Sequence, residues 1–377
     1  MLTRVMMIAG EVSGDVHGAG VVSELKQRRP ALEIFGIGGD AMQRAGMELV
    51  RHISSMSFMG FVEVVRHLGL IRETERTLAS LLEQRPPDVV VLIDYPGFNL
   101  RFARKVKKKG IRVLYYISPQ VWAWRPGRVK TMRRLVDRMK VVFPFEVDLY
   151  RREGVDVEFV GHPLVETLRV SATREEFFRA HGLDLRKRLV GLFPGSRKQE
   201  LEKMLPVMRD AARSLVKSHG VQCALGVAPN LGVPLFRESV APDDPITLID
   251  GATYDLMAYA DAAIVTSGTA TLETGWFGTP MVVVYKTSLP SYLIARALIR
   301  TANIALVNIV LGKTVVPELL QDDARADKVT DAVARILDDK AYCASVRREL
   351  SGVQSRLGEP GASARVAEAI IALGDAA

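Results

Sequence analysis

Residues 5–15 read VMMIAGEVSGD, a run of apolar side chains that passes directly into a glycine-containing turn. The apolar part, 5–9, has strand length and no polar alternation, which is typical of a strand covered on both faces of a parallel sheet. The turn from Gly10 to Asp15 then opens a predicted helix that continues to about Lys26. A buried strand, a tight turn and a helix in succession indicate a doubly wound α/β fold.

The same rhythm repeats along the chain. Strand-length apolar runs lie at 33–36, 89–93, 112–117 and 140–143, and again at 189–193, 223–227, 246–249, 262–265 and 281–284. After Pro317, apolar residues recur at helical spacing over 326–337, 342–357 and 362–373. We therefore predict two doubly wound Rossmann-like α/β domains that face each other across a cleft, followed by C-terminal helices.

A glycine and a proline two residues apart, Gly161 and Pro163, interrupt regular structure between the two sets of strands. They predict a hinge, with an N-terminal domain at 1–165 and a C-terminal domain at 166–377. The last helices could belong to the C-terminal domain or pack back on the N-terminal one. Since ligands of such sheets bind at the carboxyl ends of the strands, we expect the site to lie between the domains.

The composition and net charge of the chain restrict the kinds of partner that it can bind. The 377 residues carry a formal charge of +8, which attracts polyanions such as nucleic acid, anionic lipid headgroups or phosphorylated substrates. The two cysteines are far apart, which argues against a disulfide framework or a zinc site and favours a reducing compartment. The N-terminal apolar run is too short for a signal peptide, and no run approaches the ~18 residues needed to span a bilayer. Any membrane contact is therefore expected to be peripheral.

The turn after the first predicted strand is a candidate anion site. Ser13 and Gly14 lie where a helix begins, and the unpaired amides of a first helical turn suit an oxygen-rich ligand. The alternative is a tight turn closed by a capping Ser or Asp. Gly36, Gly38 and Ala41 match a loose dinucleotide pattern, but the first turn does not, so no nicotinamide cofactor is expected.

Asp94 follows the strand-like run 89–93 directly and precedes a turn that ends at Asn99. A carboxylate at the carboxyl end of a central strand can act as a general base toward a sugar hydroxyl. The alternative is an Asp that caps the following helix. Position alone leaves both readings open.

Aromatic and cationic residues alternate near 118–134. Trp122 and the neighbouring Gln120 and Arg125 could contact a sugar, an acyl chain or a phosphate, and further cations follow at 128–134. The alternative is a loop whose tryptophans fill the core while its charges form a solvated helix face.

Two turns in the second half predict a diphosphate site. Gly195, Ser196 and Arg197 follow the run 189–193, where amides could bind a diphosphate and Arg197 could neutralise a leaving group. Arg197 could instead pair with Glu200 in a purely structural contact. The second turn places hydroxyl and small residues at the start of a helix, with an acidic residue further along that could accept hydrogen bonds from ribose hydroxyls. It comprises Ser267, Gly268, Thr269 and Glu273.

The segment 58–72 is apolar around much of a predicted helix but contains Arg66 and Arg72. It suits a helix that lies in a membrane interface, and a buried core helix is the alternative. No pair of histidines has metal-ligand spacing, so no metal is expected.

Taken in order, these motifs resemble the lipid-A-disaccharide synthase family. The resemblance is carried by 10–15, 36–40, 58–65, 94–99, 118–125, 161–162, 195–200 and 267–273. It implies an inverting, metal-independent, cofactor-free glycosyltransferase that joins UDP-2,3-diacylglucosamine to 2,3-diacylglucosamine 1-phosphate, giving UDP and a β-1,6-linked disaccharide. It also implies work at the cytoplasmic face of the inner membrane rather than on nucleic acid, and it leaves a homodimer open.

The resemblance also implies roles for individual residues. Asp94 would be the base, and Asn308 would join the donor-binding set of the second domain. The acceptor or phosphate set would be Ser13, Gly14, Asn99, Gln120, Trp122 and Arg125. The membrane-associating set would be Phe61, Val62, Val64, Val65, Leu68 and Ile71. A UDP-sugar epimerase on the same architecture and a non-enzymatic lipid-headgroup binder are the rival functions.

Overall fold

The computed structural model describes residues 1–55, 68–119, 127–288 and 303–376, which form two compact units. The first unit consists of Met1–Glu166 together with Leu357–Ala377, and the second unit is Thr167–Arg356. Each unit contains its own cluster of buried apolar side chains around a parallel sheet. Gln120, Trp122 and Arg125, and also Phe61, Val62, Val64 and Val65, lie outside the described residues.

The first unit has a seven-stranded sheet in the order β3-β2-β1-β4-β5-β6-β7, with all neighbours parallel. The strands are β1 Arg4–Ala9, β2 Glu33–Gly38, β3 Glu48–His52, β4 Val89–Ile93, β5 Arg112–Tyr116, β6 Arg138–Val141 and β7 Val157–Phe159. Its described helices are α1 Val12–Arg28, α2 Asp40–Arg44, α3 Leu68–Gln84, α4 Pro96–Lys108, α5 Arg128–Leu135 and α6 Phe145–Arg152.

The second unit repeats this design with a six-stranded parallel sheet in the order β10-β9-β8-β11-β12-β13. The strands are β8 Leu189–Phe193, β9 Gln222–Gly226, β10 Ile246–Ile249, β11 Ala262–Thr266, β12 Met281–Tyr285 and β13 Glu318–Leu320. Its described helices are α7 Arg174–Ala180, α8 Lys198–His219, α9 Gly232–Ser239, α10 Thr253–Tyr259, α11 Thr269–Trp276, α12 Leu306–Leu311, α13 Ala326–Asp338, α14 Lys340–Leu350 and, reaching into the first unit, α15 Gly352–Leu357.

The last described helix, α16 Ala362–Asp375, belongs to the first unit and packs on α1, β4 and β5. Polar contacts fix both of its ends. Glu166 accepts hydrogen bonds from the Ser363 amide at 3.0 Å and the Ser363 hydroxyl at 2.8 Å, while Asp375 accepts one from the Leu2 amide at 2.7 Å. The chain therefore returns to the first unit after completing the second.

Each sheet has one point where the strand order reverses. β1 pairs with β2 on one side and β4 on the other, and β8 pairs with β9 and β11 in the same way. The connections leave such a pair of strands in opposite directions, which opens a crevice at their carboxyl ends where ligands of open α/β sheets bind. Ligand-binding and catalytic residues are therefore expected in the turns after β1, β4, β8 and β11.

The two predicted doubly wound α/β units and the C-terminal helices are confirmed. Every predicted strand is present with ends within two residues, but β3, β7 and β13 were not predicted. These three strands pair with only one neighbour each and are half exposed, so they lack the continuous apolar run of a central strand. The single helix predicted at 342–357 is two helices, because Ser351 and Gly352 favour helix ends over helix interiors. No helix among the described residues is long and apolar enough to cross a membrane.

Candidate functional site

Asp94 lies at the carboxyl end of β4 in a backbone conformation that side chains rarely adopt. Its φ is 43° and that of Tyr95 is 47°, so two consecutive non-glycine residues are left-handed. The Tyr95 ring lies against Gly10, where a Cβ atom would be 2.2 Å from the ring. Only glycine fits at position 10, and the turns after β1 and β4 therefore pack directly against each other.

The Asp94 carboxyl group is largely withdrawn from water. Its pKa is raised from 3.8 to about 7, first by burial and then by the negative charge of Glu11, while a hydrogen bond from the Tyr95 amide opposes the shift. A carboxyl group with a pKa near neutrality is a better proton acceptor than an ordinary Asp and is still ionised in part at pH 7. The alternative role as a helix cap is not observed, because Tyr95 is the N-cap residue of α4 and no side chain caps that helix.

The start of α1 is at the same edge of the sheet. Ser13 is exposed in the first helical turn, and Gly14 is buried, where a Cβ atom would be 3.4 Å from that of Ala9. Next to them, the buried Asp15 carboxylate accepts three backbone hydrogen bonds of 2.7–3.0 Å from Gly39, Ala41 and Met42 at the start of α2. Asp15 thus has a structural role, and Ser13 is an exposed polar side chain of this turn that a ligand could reach.

In the second unit, the turn after β8 is built around Glu200. Its Oε2 atom accepts a 3.1 Å hydrogen bond from the Ser196 amide, and its Oε1 atom lies 2.8 Å from Nη1 of Arg197. Gly195 has φ 106°, and a Cβ atom there would be 2.4 Å from the Glu200 carboxylate. The expected Arg197–Glu200 pair is present, yet the Arg197 side chain is 48% exposed, which leaves it accessible to an anion.

The turn after β11 contains Ser267 and Gly268, and Thr269 begins α11. Thr269 is exposed, while Ser267 and Gly268 are half-buried, and the Ser267 hydroxyl donates to the Ile304 carbonyl at 3.2 Å. The Gly268 φ of 155° is one that residues with a side chain rarely adopt, which favours glycine at this position. The turn therefore presents backbone and hydroxyl groups at the carboxyl end of a central strand, as a diphosphate site requires.

Glu273 lies on α11, one turn beyond those hydroxyl residues. Burial raises its pKa from 4.5 to about 7, and the Tyr254 hydroxyl donates to it at 3.5 Å, a long hydrogen bond. The Glu273 side chain is half-buried, and a carboxyl group with so weak an internal partner can accept hydrogen bonds from hydroxyl groups of a ligand.

Two of the expected binding residues have their amides turned to the protein. Asn308 is fully buried, donates to the Val316 carbonyl and Glu318, and accepts from the amides of Val315 and Val316. Asn99 is fully buried and donates to backbone carbonyls at the end of β4. Both side chains stabilise the backbone around the candidate site.

The expected membrane-associating set falls mostly outside the described residues. Leu68 is the first described residue of α3. Ile71 is 6% exposed and belongs to the core of the first unit, so the structure removes Ile71 from that set because its side chain is already covered by protein.

The sequence did not single out Tyr95, Tyr115 or Tyr254, which the structure brings to these turns. In the sequence, the only indication that Tyr95 and Tyr115 contribute to the site was that they lie at or beside the ends of central strands. Within the described ranges, no group of His, Cys, Asp or Glu residues has the arrangement of a metal site.

A family model described as lipid-A-disaccharide synthetase matches residues 5–368. A lipid-A-disaccharide synthase of Geobacter sulfurreducens is 47% identical over 373 residues, covering 98% of this chain and 96% of the relative. The enzyme of the same name from Syntrophus aciditrophicus is 47% identical over 366 residues, covering 96% of each chain.

Solved structures show the same fold at low identity. A UDP-GlcNAc 2-epimerase from Neisseria meningitidis, bound to UDP-GlcNAc, has a TM-score of 0.66 at 12% identity and covers 98% of this chain and 100% of its own. CalG4, the calicheamicin glycosyltransferase, has a TM-score of 0.63 at 17% identity and covers 99% of this chain and 98% of its own. The fold is thus shared by epimerases and glycosyltransferases, so fold alone does not choose between these activities.

Proposed function

The chain belongs to the lipid-A-disaccharide synthase family, and from that membership we propose that it transfers 2,3-diacylglucosamine from UDP to 2,3-diacylglucosamine 1-phosphate. The family match spans both units, and the observation in the structure that best supports the chemistry is the half-buried, weakly acidic Asp94 at the end of β4. The activity is that of a glycosyltransferase, and the acylated substrates are the part that remains to be tested.

In the proposed reaction, Asp94 takes the proton of the acceptor 6-hydroxyl group as its oxygen attacks the anomeric carbon of the donor. The bond between that carbon and the UDP oxygen breaks, the anomeric configuration inverts, and UDP leaves with the bonding electrons. Arg197 and the backbone of 195–196 and 267–269 bind the diphosphate, on which negative charge accumulates.

The direct test supplies both acylated glucosamine substrates and uses mass spectrometry to find the joined product and free UDP. A glycosyltransferase releases UDP only when the acceptor is present. An epimerase would convert the donor without the acceptor, and a non-enzymatic lipid binder would give neither result. Donor conversion in the absence of the acceptor would contradict the proposal.

We propose that Glu273 accepts hydrogen bonds from the ribose hydroxyls of the donor. Glu273→Gln should raise the KM for the UDP-linked substrate ~10- to 100-fold, because a hydrogen bond to a charged group contributes about 1.5–3 kcal/mol. The KM for the acceptor should stay unchanged and serves as the internal control. Equal changes in both KM values would refute a donor-specific role.

We also propose that the first unit attaches peripherally to the inner membrane. The neighbouring helices α4 and α5 expose Arg104, Lys108, Lys130, Arg133 and Arg134, and each cation near an anionic lipid surface is worth about 1 kcal/mol. Val64→Ser combined with Leu68→Ser should weaken sedimentation with anionic vesicles, since less apolar area would enter the interface. A double variant that unfolds would instead favour a buried helix at 58–72.

A further inference from the structure

Two consecutive left-handed residues, Asp94 and Tyr95, terminate β4. For residues with a Cβ atom this conformation costs free energy, and it persists only where surrounding contacts enforce it. A turn of this kind at the proposed base raises the question of which side chains hold it in place.

Two fully buried side chains, Asn99 and Tyr115, bind the same backbone atom in this turn. The Asp94 carbonyl oxygen accepts a 2.7 Å hydrogen bond from Nδ2 of Asn99 and a 2.5 Å hydrogen bond from the Tyr115 hydroxyl. Nδ2 of Asn99 also donates to the Ile93 carbonyl at 3.2 Å. The peptide group that follows the Asp94 side chain is therefore held from α4 and from β5 at once.

The Asn99 side chain forms its hydrogen bonds through its NH2 group, which is a donor. Its nitrogen faces two carbonyl oxygens, which determines the orientation of the amide, whereas its Oδ1 atom is buried with no hydrogen-bond partner within the described parts of the chain. An unpartnered buried oxygen is unfavourable, so a residue that merely filled space here would be better apolar. The donation to the Asp94 carbonyl offsets that cost.

We propose that Asn99 and Tyr115 are positioning residues that hold the half-buried Asp94 carboxyl group in its observed orientation at the end of β4. They act through the Asp94 backbone and touch no substrate. This inference rests on the proposed function, because it takes Asp94 as the proton acceptor. The other charged group that faces Asp94 is Glu11, at the start of α1, and it is unchanged in every variant below.

The test compares Tyr115→Phe and Asn99→Asp with Tyr116→Phe. Tyr116 is the next residue of β5 and is equally buried, but its hydroxyl has no hydrogen-bond partner in the described structure, so its loss should leave turnover unchanged. Tyr115→Phe removes one donor, and Asn99→Asp turns an oxygen toward two carbonyl oxygens. We expect kcat to fall ~10- to 100-fold in both variants, with the donor KM unchanged, because small displacements of a reacting group are costly.

The pH profile separates positioning from simple destabilisation. A carboxyl group released from its buried position is better hydrated, so the acid limb of kcat/KM should move to lower pH in Tyr115→Phe. In an Asp94→Asn background, adding Tyr115→Phe should cause no further loss, since both changes act on the same group.

Wild-type kcat with an unmoved acid limb in Tyr115→Phe would overturn the inference, and so would a further loss on top of Asp94→Asn. If Asn99→Asp fails to fold, Tyr115→Phe decides alone. Full activity of Asp94→Asn would instead refute the base itself and hence the proposed mechanism, which distinguishes the two failures.

Discussion

Asp94→Asn is expected to lower turnover ~100- to 10,000-fold, the range that a general base contributes, while the first unit keeps its fold. Asn has almost the same shape as Asp and leaves the hydrogen bonds from the Asn99 and Tyr115 side chains to the backbone carbonyl of residue 94 in place, but it cannot take a proton from the acceptor. Steady-state rates with both acylated substrates, together with thermal unfolding, would measure the two effects separately. Wild-type turnover in this variant would exclude Asp94 as the base.

The pH dependence provides a second readout of the same group. Asp94 acts in its ionised form, and burial raises its pKa to about 7, so wild-type kcat/KM should rise with pH through about 7 and fall below it. The residual kcat of Asp94→Asn at saturating substrate should lack this acid limb, whereas kcat/KM keeps a contribution from Glu273, whose pKa is also raised to about 7. Asp88→Asn is a matched control at the opposite end of β4, where the carboxylate binds the amides of Thr3 and Arg4, and it should change stability rather than the profile.

Arg197→Ala is expected to lower kcat/KM ~100- to 1,000-fold, because loss of a group that stabilises developing negative charge typically costs about 3–4 kcal/mol. The half-exposed guanidinium at the turn after β8 is the cation that we assign to the departing diphosphate. Arg197→Lys should recover part of the loss, since a point charge remains but the planar geometry does not.

Arg186→Ala is the matched control for Arg197. Arg186 forms a comparable ion pair with Asp184 in the second unit and is 90% exposed, so its loss should leave kcat/KM unchanged. If Arg197→Ala behaved like Arg186→Ala, the guanidinium would be only the surface partner of Glu200.

The central strands were predictable because burial on both faces of a parallel sheet demands continuous apolar residues. β4, Val89–Ile93, and β8, Leu189–Phe193, have their predicted ends for this reason. The short edge strand β7, Val157–Phe159, carries no such run, because the side chains of an edge strand are less completely buried. Local chemistry at Ser351 and Gly352 likewise outweighed the helical periodicity around them.

The positions of the candidate-site turns could be predicted from the sequence, but the roles of the residues in them could be predicted only in part. Asp94 stood out because it follows a buried strand directly, but its raised pKa comes from burial in the folded unit and from the charge of Glu11, which is 83 residues away in sequence. The contributions of Tyr115 and Asn308 depend on which backbone groups they meet, and a single sequence does not contain that information. A capping Ser or Asp was the alternative for the turn 10–15, yet the Asp15 carboxylate binds amides at the start of α2, which become its neighbours only when β1 and β2 pair.

The return of α16 to the first unit affects the order in which the protein can be completed during synthesis. β4 and β5 are made early, but the helix that covers them there emerges from the ribosome only after the whole second unit. Until then, the nascent first unit leaves part of its apolar surface uncovered, which is a state open to aggregation and to chaperones. Synthesis of α16 is therefore the event that covers the remaining apolar surface of β4 and β5.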